Sequence, residues 1–221
     1  MSPTEHQMKH ISGEFQQMVD DFFSVQCRYQ AAIKEVQTKL EILDDEFQMR
    51  HRRNPIHHMQ SRMKTIQSMM EKLRRRQEPV SISSAVEHLT DIAGIRVICS
   101  YIQDIYTVAD LLTCQDDVKV IRVRDYIKEP KANGYRSLHL VLAIPVFLAE
   151  GRIIVPVEVQ IRTIAMDFWA SLEHSLRYKA EGAVPEDISA ELMQTAGDIA
   201  ALDQRMQRIH DKVDALAKAG E

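Results

Sequence analysis

The chain has 221 residues, 45% apolar and 27% charged, a balance that supports a buried core and excludes a disordered or fibrous protein. The longest uncharged apolar run, Leu140 to Ala149, is broken by Pro145 and falls well short of the roughly 18 residues of a membrane span. The N-terminus carries no basic stretch followed by an apolar block, so no membrane partner is expected and the expected location is the cytoplasm. The net charge of −4 conceals a block from Arg50 to Arg76 that is +8 and leaves −12 for the remainder, which points either to a local polyanion site or to a solvated helix face.

Gly and Pro number 7 each, a scarcity that predicts long regular elements dominated by helix. The three cysteines, Cys27, Cys99 and Cys114, are too scattered for a disulfide framework or a zinc knuckle and read as apolar filler.

From Phe15 to Phe47 apolar residues recur at steps of four and three, through Val19, Phe22, Tyr29, Ile33, Val36, Leu40 and Leu43, which predicts a long amphipathic helix. Asn54-Pro55 places a good N-cap residue before a proline, so a second helix is expected through about Arg76, with Arg62, Ser68 and Lys72 sharing a broad face. Ser84 to Glu87 reads as a capping box for a short helix. The period then changes to two, and Gly94–Tyr101, Val118–Tyr126, Arg136–Val146 and Arg152–Arg162 are expected strands. Between the first two, Asp104 is expected to cap a helix through Leu112, and Glu150-Gly151 turns the last two strands into an antiparallel hairpin. After Arg162, the residues Ile164, Phe168, Leu172 and Leu176 mark a helix ending near Gly182. In the C-terminal stretch Leu192, Ile199, Met206 and Val213 lie seven apart, with Leu202, Ile209 and Leu216 between them, a narrow seam that packs on its own domain or on another subunit. The expected fold class is α+β: a mixed, mainly antiparallel sheet of about five strands flanked by helices, with long helices at both ends. The expected divisions are 1–53 as an N-terminal helical extension, 54–182 as the catalytic domain and 183–221 as a C-terminal helix for oligomerisation.

Glu158, Gln160 and Arg162 share one face of a strand whose other face is Val157, Val159 and Ile161, and Asp91 precedes another strand. An Asp at the start of one strand and a Glu on another are the usual minimum for Mg²⁺ shared with substrate phosphates, and the basic block with Lys131 and Arg136 supplies cations for the remaining phosphate oxygens. Tyr135, beside the Asn133-Gly134 turn, can stack on a nucleobase or simply pack. Neither a P-loop nor a GxGxxG cradle is present, His57-His58 is expected at the surface, and Ser137 with His139 lacks a nucleophile elbow.

Taken together, Asp91-Ile-Ala-Gly-Ile-Arg96, Arg124-Asp-Tyr-Ile127, Pro130-Lys131-Ala-Asn-Gly-Tyr135-Arg136-Ser-Leu-His139 and Glu158-Val-Gln160-Ile-Arg162-Thr163 resemble the synthetase domain of the RelA/SpoT superfamily. So do Met166-Asp167-Phe-Trp169 and Glu173-His174, and the length resembles the small alarmone synthetases of bacteria. The resemblance implies transfer of pyrophosphate from ATP to the 3′-hydroxyl of GDP or GTP, yielding ppGpp or pppGpp and AMP, by a homo-oligomer, expected as a tetramer. It further implies that Asp91 and Glu158 hold Mg²⁺, with Glu158 also the base. Arg62 and Arg96 would sandwich adenine, and Lys64, Ser68 and Lys72 would contact the ATP phosphates. Tyr135 would stack on guanine, with Lys131, Arg136, His139, Gln160, Asp167 and Glu173 completing the GDP or GTP side. Two positions depart from the pattern: Arg124 stands where many long members have Lys, and Asp167 where small members often have Asn. A non-catalytic nucleotide- or RNA-binding regulator is the other reading of the basic groove; the pair Asp91 and Glu158 argues against it, since a binding module needs no paired acids among phosphate-binding cations, and nucleic acid is not an expected partner.

Overall fold

The computed structural model describes residues 3–51, 53–179 and 185–219, with side chains in the first helix described from Phe22 onward. Six helices and five strands follow one another as α1 (Pro3–His51), β1 (Ile56–Met63), α2 (Ile66–Arg76), α3 (Ile82–His88), β2 (Ala93–Cys99), α4 (Ile102–Thr113), β3 (Lys119–Asp125), β4 (Leu138–Leu148), β5 (Gly151–Thr163), α5 (Ile164–Lys179) and α6 (Glu186–Ala219). The strands form one sheet in the order β1-β2-β5-β4-β3. Only β2 and β5 run parallel, and the other three pairs are antiparallel, so the α+β class with a mixed, mainly antiparallel sheet is what the chain adopts.

One face of the sheet is apolar. Ile95 and Val97 of β2, Val157, Val159 and Ile161 of β5, and Leu138, Leu140 and Leu142 of β4 are buried there against α1 and α4. The stretch expected as an N-terminal extension supplies Tyr29, Ala32, Ile33, Val36 and Leu40 to this same core, so the seam of α1 packs on its own sheet. The seam's first residues, Phe15 and Val19, lie outside the described side chains, as does Gly182 at the expected end of α5.

Four local expectations give way to tertiary structure. The helix expected from Asn54 is a strand: Ile56 to Met63 pairs antiparallel with β2, and the α2 helix starts only after Thr65, whose Oγ1 accepts from Ser68 N at 3.2 Å. Asn54 does not cap; its Nδ2 donates to Asp44 Oδ2 at 2.7 Å, while Asp44 Oδ1 accepts from Ile56 N, so α1 guides the strand into the sheet. The cap of α3 is Ser81 rather than Ser84, since Ser81 Oγ accepts from Ser84 N at 3.1 Å. Asp104 sits inside the first turn of α4, 1% exposed, gripped by both guanidinium nitrogens of Arg53 at 2.7 and 3.0 Å. A charge so placed needs a paired cation, and the basic block supplies it from the link between α1 and β1. Of the cysteines, only Cys99 is buried; Cys27 and Cys114 are exposed.

The two C-terminal helices pack on each other and turn apolar stripes outward. In α5 the buried face is Met166, Trp169, Ala170 and Glu173, while Ile164, Phe168, Leu172 and Leu176 are exposed. In α6 Ala196 is buried and Ile199 half-buried, but Leu202, Met206, Ile209, Val213 and Leu216 face solvent.

Candidate active site

The second face of the sheet is polar, and register explains how its residues meet. Arg62 of β1 lies opposite Gly94 of β2, which is aligned with Glu158 of β5; one row on, Gln60, Arg96, Gln160 and His139 are aligned across four strands. Because paired residues in a sheet point to the same face, these two rows converge on one cleft of about 260 Å³, lined by Gln60, Arg62, Asp91, Gly94, Arg96, Glu158 and Gln160. Gly94 leaves the middle of the first row without a side chain. A Cβ added there would meet only backbone oxygens of Arg62 and Glu158 at 3.8 and 4.0 Å, ordinary contact, so the fold itself does not demand the glycine.

At one end of the cleft Asp91 precedes β2. Its Oδ2 accepts from Lys64 Nζ at 2.7 Å and from Lys72 Nζ at 2.6 Å, while Oδ1 is buried without a hydrogen-bond partner. Burial raises the Asp91 carboxyl, but the two ammonium groups more than offset this and hold it below its ordinary value. Lys64 follows β1 and Lys72 belongs to α2, with Ser68 in the first turn of that helix, so the basic block converges on Asp91 from two elements rather than along one helix face. The shared face expected for Arg62, Ser68 and Lys72 is therefore replaced by a strand-and-helix corner.

Glu158 occupies the centre. Gln160 Nε2 donates to its Oε2 at 2.8 Å, and His139 Nδ1 lies 3.6 Å from Oε1. Burial pushes Glu158 up, yet these contacts leave it below the ordinary carboxylate value, whereas burial lowers His139 and keeps its ring neutral near pH 7. The His139 ring and the Gln160 amide together hold the carboxylate, and Glu158 is ionised throughout the neutral range.

At the other end stands an aromatic group. Tyr135 Oη hydrogen-bonds with His139 Nε2 at 2.8 Å and accepts from Arg162 Nη2 at 2.6 Å. Lys131 Nζ lies over the rings of both Tyr126 and Tyr135, at 4.6 and 4.5 Å from their centroids. Asp167 Oδ1 accepts from Arg162 Nη1 at 3.2 Å and lies 3.5 Å from Arg96 Nη1, so one carboxylate bridges the two arginines. Glu173, expected beside the acceptor, accepts from Asn133 Nδ2 at 3.0 Å and from Arg177 Nε, pinning the Asn-Gly turn. Arg136 Nη1 donates to Ala196 O on α6 at 2.9 Å.

Arg162 is the residue to which the sequence assigned no role. It is 4% exposed and joins Tyr135, Gln160 and Asp167 through separate hydrogen bonds. Its place at period two after Glu158 and Gln160 was visible; that it turns into protein rather than solvent was not. Gln60, in a stretch expected to be helical, is the second omission, because only strand pairing brings it opposite Arg96.

Comparison with known proteins agrees with this geometry. Residues 61–183 match the family model described as a region found in RelA/SpoT proteins. The chain is 44% identical to the GTP pyrophosphokinase YwaC of Bacillus subtilis over 186 residues, covering 84% of this chain and 89% of that protein. It is 38% identical over 191 residues to YjbM, a GTP pyrophosphokinase of the same organism, with 86% and 89% covered. Among solved structures, B. subtilis small alarmone synthetase 1 bound to pppGpp superposes with a TM-score of 0.77 at 37% identity, covering 84% of this chain and 94% of that one. Small alarmone synthetase 2 from the same organism superposes with a TM-score of 0.76 at 43% identity over 83% and 96%. With the matched region running from the end of β1 through α5 and holding both carboxylates, the chain belongs to the RelA/SpoT family.

Proposed function

We propose that this protein is a (p)ppGpp synthetase that moves the pyrophosphoryl group of ATP onto the 3′-hydroxyl of GDP or GTP, releasing AMP. The observation that carries the reading is the two-ended cleft: Glu158 lies between a basic corner with a carboxylate and an aromatic corner, on aligned strands. ATP occupies the first end, its adenine between Arg62 and Arg96 and its phosphates against Lys64, Ser68 and Lys72. The guanosine nucleotide occupies the second, its base on Tyr135 and beside Asp167, with Lys131 and His139 toward its phosphates or the transferred group.

Glu158, ionised and held by Gln160, accepts the proton of the 3′-hydroxyl as that oxygen attacks the β-phosphorus of ATP. A bond forms between the 3′-oxygen and the β-phosphorus, the bond from the β-phosphorus to the α,β-bridging oxygen breaks, and AMP leaves with that oxygen. Such transfers depend mainly on positioning and on neutralising charge, which the lysines supply once they turn from Asp91 to phosphate oxygens. Two carboxylates with substrate phosphates are the ligands Mg²⁺ commonly takes, and the unpartnered Asp91 Oδ1 fits a cation. Asp91 and Glu158 would hold Mg²⁺, which when bound neutralises charge on the transferred group. Incubation with ATP labelled at the terminal phosphate, GDP or GTP, and Mg²⁺ tests the reading: label appears in a guanosine tetra- or pentaphosphate, and its absence refutes the activity.

Gly94 separates fold from function in this scheme. Gly94→Ala should stabilise the protein by about 0.4–1 kcal/mol, through lower entropy of the unfolded chain. It should nevertheless lower kcat/KM for ATP by at least about tenfold, because the added methyl enters the space between Arg62 and Glu158. Thermal melts and initial rates on the same preparation check both parts.

The outward stripes of α5 and α6 support assembly into a homo-oligomer, taken as a tetramer, working in the cytoplasm. No described helix is long and apolar enough to cross a membrane. Met206→Glu with Val213→Glu should lower the mass measured by light scattering after gel filtration, and an unchanged mass removes α6 from the interface.

A further inference from the structure

Three contacts tie α6, which begins beyond the matched segment 61–183, to the aromatic end of the cleft. Thr163 closes β5 and is fully buried; its Oγ1 donates to Asp203 Oδ2 at 2.5 Å and accepts from Met166 N at 3.1 Å. It thereby caps the first turn of α5, the turn that carries Asp167. Trp169 Nε1 donates to Leu192 O at 3.1 Å, and Arg136 Nη1 donates to Ala196 O. The loop carrying Tyr135 is seated closer still. Gly134 has φ of 85°, and a Cβ there would lie 2.6 Å from the Ala196 Cβ, a distance that no side-chain-bearing residue tolerates.

Asp203 stands out within this contact. It is 6% exposed, in a helix whose buried positions are otherwise small or apolar. Burial pushes its carboxyl up, opposed by the Thr163 hydroxyl and the field of Arg136. An apolar side chain packs there at less cost than an acid, so packing alone does not account for the carboxylate. What the acid adds is a directed hydrogen bond to the corner between β5 and α5, one residue from Arg162 and four from Asp167.

We propose that Asp203 is a positioning residue for the guanosine acceptor: through the Thr163 hydroxyl it fixes the corner carrying Arg162 and Asp167, while the same helix seats the Tyr135 loop. The inference rests on the acceptor end assigned above. Because that corner meets the acceptor directly and the ATP end only through the 3.5 Å approach of Asp167 to Arg96, a Michaelis constant that rises far more for GDP than for ATP distinguishes positioning from general stability.

In the full-length protein Asp203→Ala should raise KM for GDP about tenfold, the scale of one lost buried hydrogen bond, with kcat and KM for ATP within about twofold. Asp203→Asn, which keeps an acceptor oxygen and removes a charge that burial disfavours, should stay close to the parent. Thr163→Val should reproduce the selective rise, and the double variant Asp203→Ala with Thr163→Val should add little to either single change. If Asp203→Ala does not fold, Thr163→Val against Thr163→Ser carries the comparison. Equal rises in both Michaelis constants, an Asn variant as impaired as the Ala variant, or no change at all would overturn the proposal. Titrating GDP against the fluorescence of Trp169, the one tryptophan in the chain, with a non-transferable ATP analogue present, gives a reading independent of turnover. Weaker GDP binding in Asp203→Ala alone supports positioning and equal binding refutes it, even if no guanosine product forms.

Discussion

Glu158→Gln lowers kcat by about 10²–10⁴-fold, the contribution of a positioned general base, and leaves the fold intact. The amide is isosteric and can still meet Gln160, so the sheet register and the hydrophobic face beneath it have no reason to change. What is lost is the proton acceptor at the centre of the cleft and one of two carboxylates available to a cation. Single-turnover rates with both nucleotides saturating isolate this chemical step, and a variant retaining more than about a tenth of the parent rate would remove Glu158 as the base.

Arg162→Met produces the second large effect, about a hundredfold in KM for the guanosine acceptor, with a much smaller change for ATP. Three hydrogen bonds disappear together, freeing the Tyr135 hydroxyl, the Gln160 carbonyl and one side of Asp167. Breaking a buried charge pair costs about 3–5 kcal/mol, and the lower end applies because the Asp167 side chain is 28% exposed and keeps Arg96 nearby. Arg162→Lys should recover only part of the loss, since an ammonium cannot reproduce the planar fork that spans three partners. Full recovery by lysine would mean that charge alone matters at this position, and equal shifts for both nucleotides would mean that Arg162 does not belong to the acceptor end.

The legibility of the site varied with the range of the interaction. Glu158, Gln160 and Arg162 were readable as one face because period two is a local property of an extended chain. The basic block was readable only as a supply of cations for phosphate; the pairing of Lys64 and Lys72 with Asp91, two ammonium groups on one carboxylate oxygen, comes from two elements folded together. Arg136 and Glu173 were expected toward a nucleotide because of their place in a motif. Their contacts within the chain, to the Ala196 carbonyl and to Asn133, were legible only in the folded protein, where they shape the loop that presents Tyr135.

The amino-acid sequence by itself determined four of the five strands, the hairpin between β4 and β5, the long terminal helices and the family, because alternation, turn residues and motif order are written within short stretches. It also contained the decisive division of charge, a +8 block inside an otherwise −12 chain. Only the tertiary structure decided what that block does. Arg53 neutralises buried Asp104, Arg62 lies on a strand opposite Gly94, and Lys64 and Lys72 meet on Asp91, so one run of like charges serves several tasks on different elements. The same holds for β1, where a local helix-start signal loses to hydrogen bonding with β2, and for α6, whose repeat cannot reveal which residues face Thr163 and which face solvent. A partner distant in sequence settles each of these choices, and local pattern holds no record of that partner.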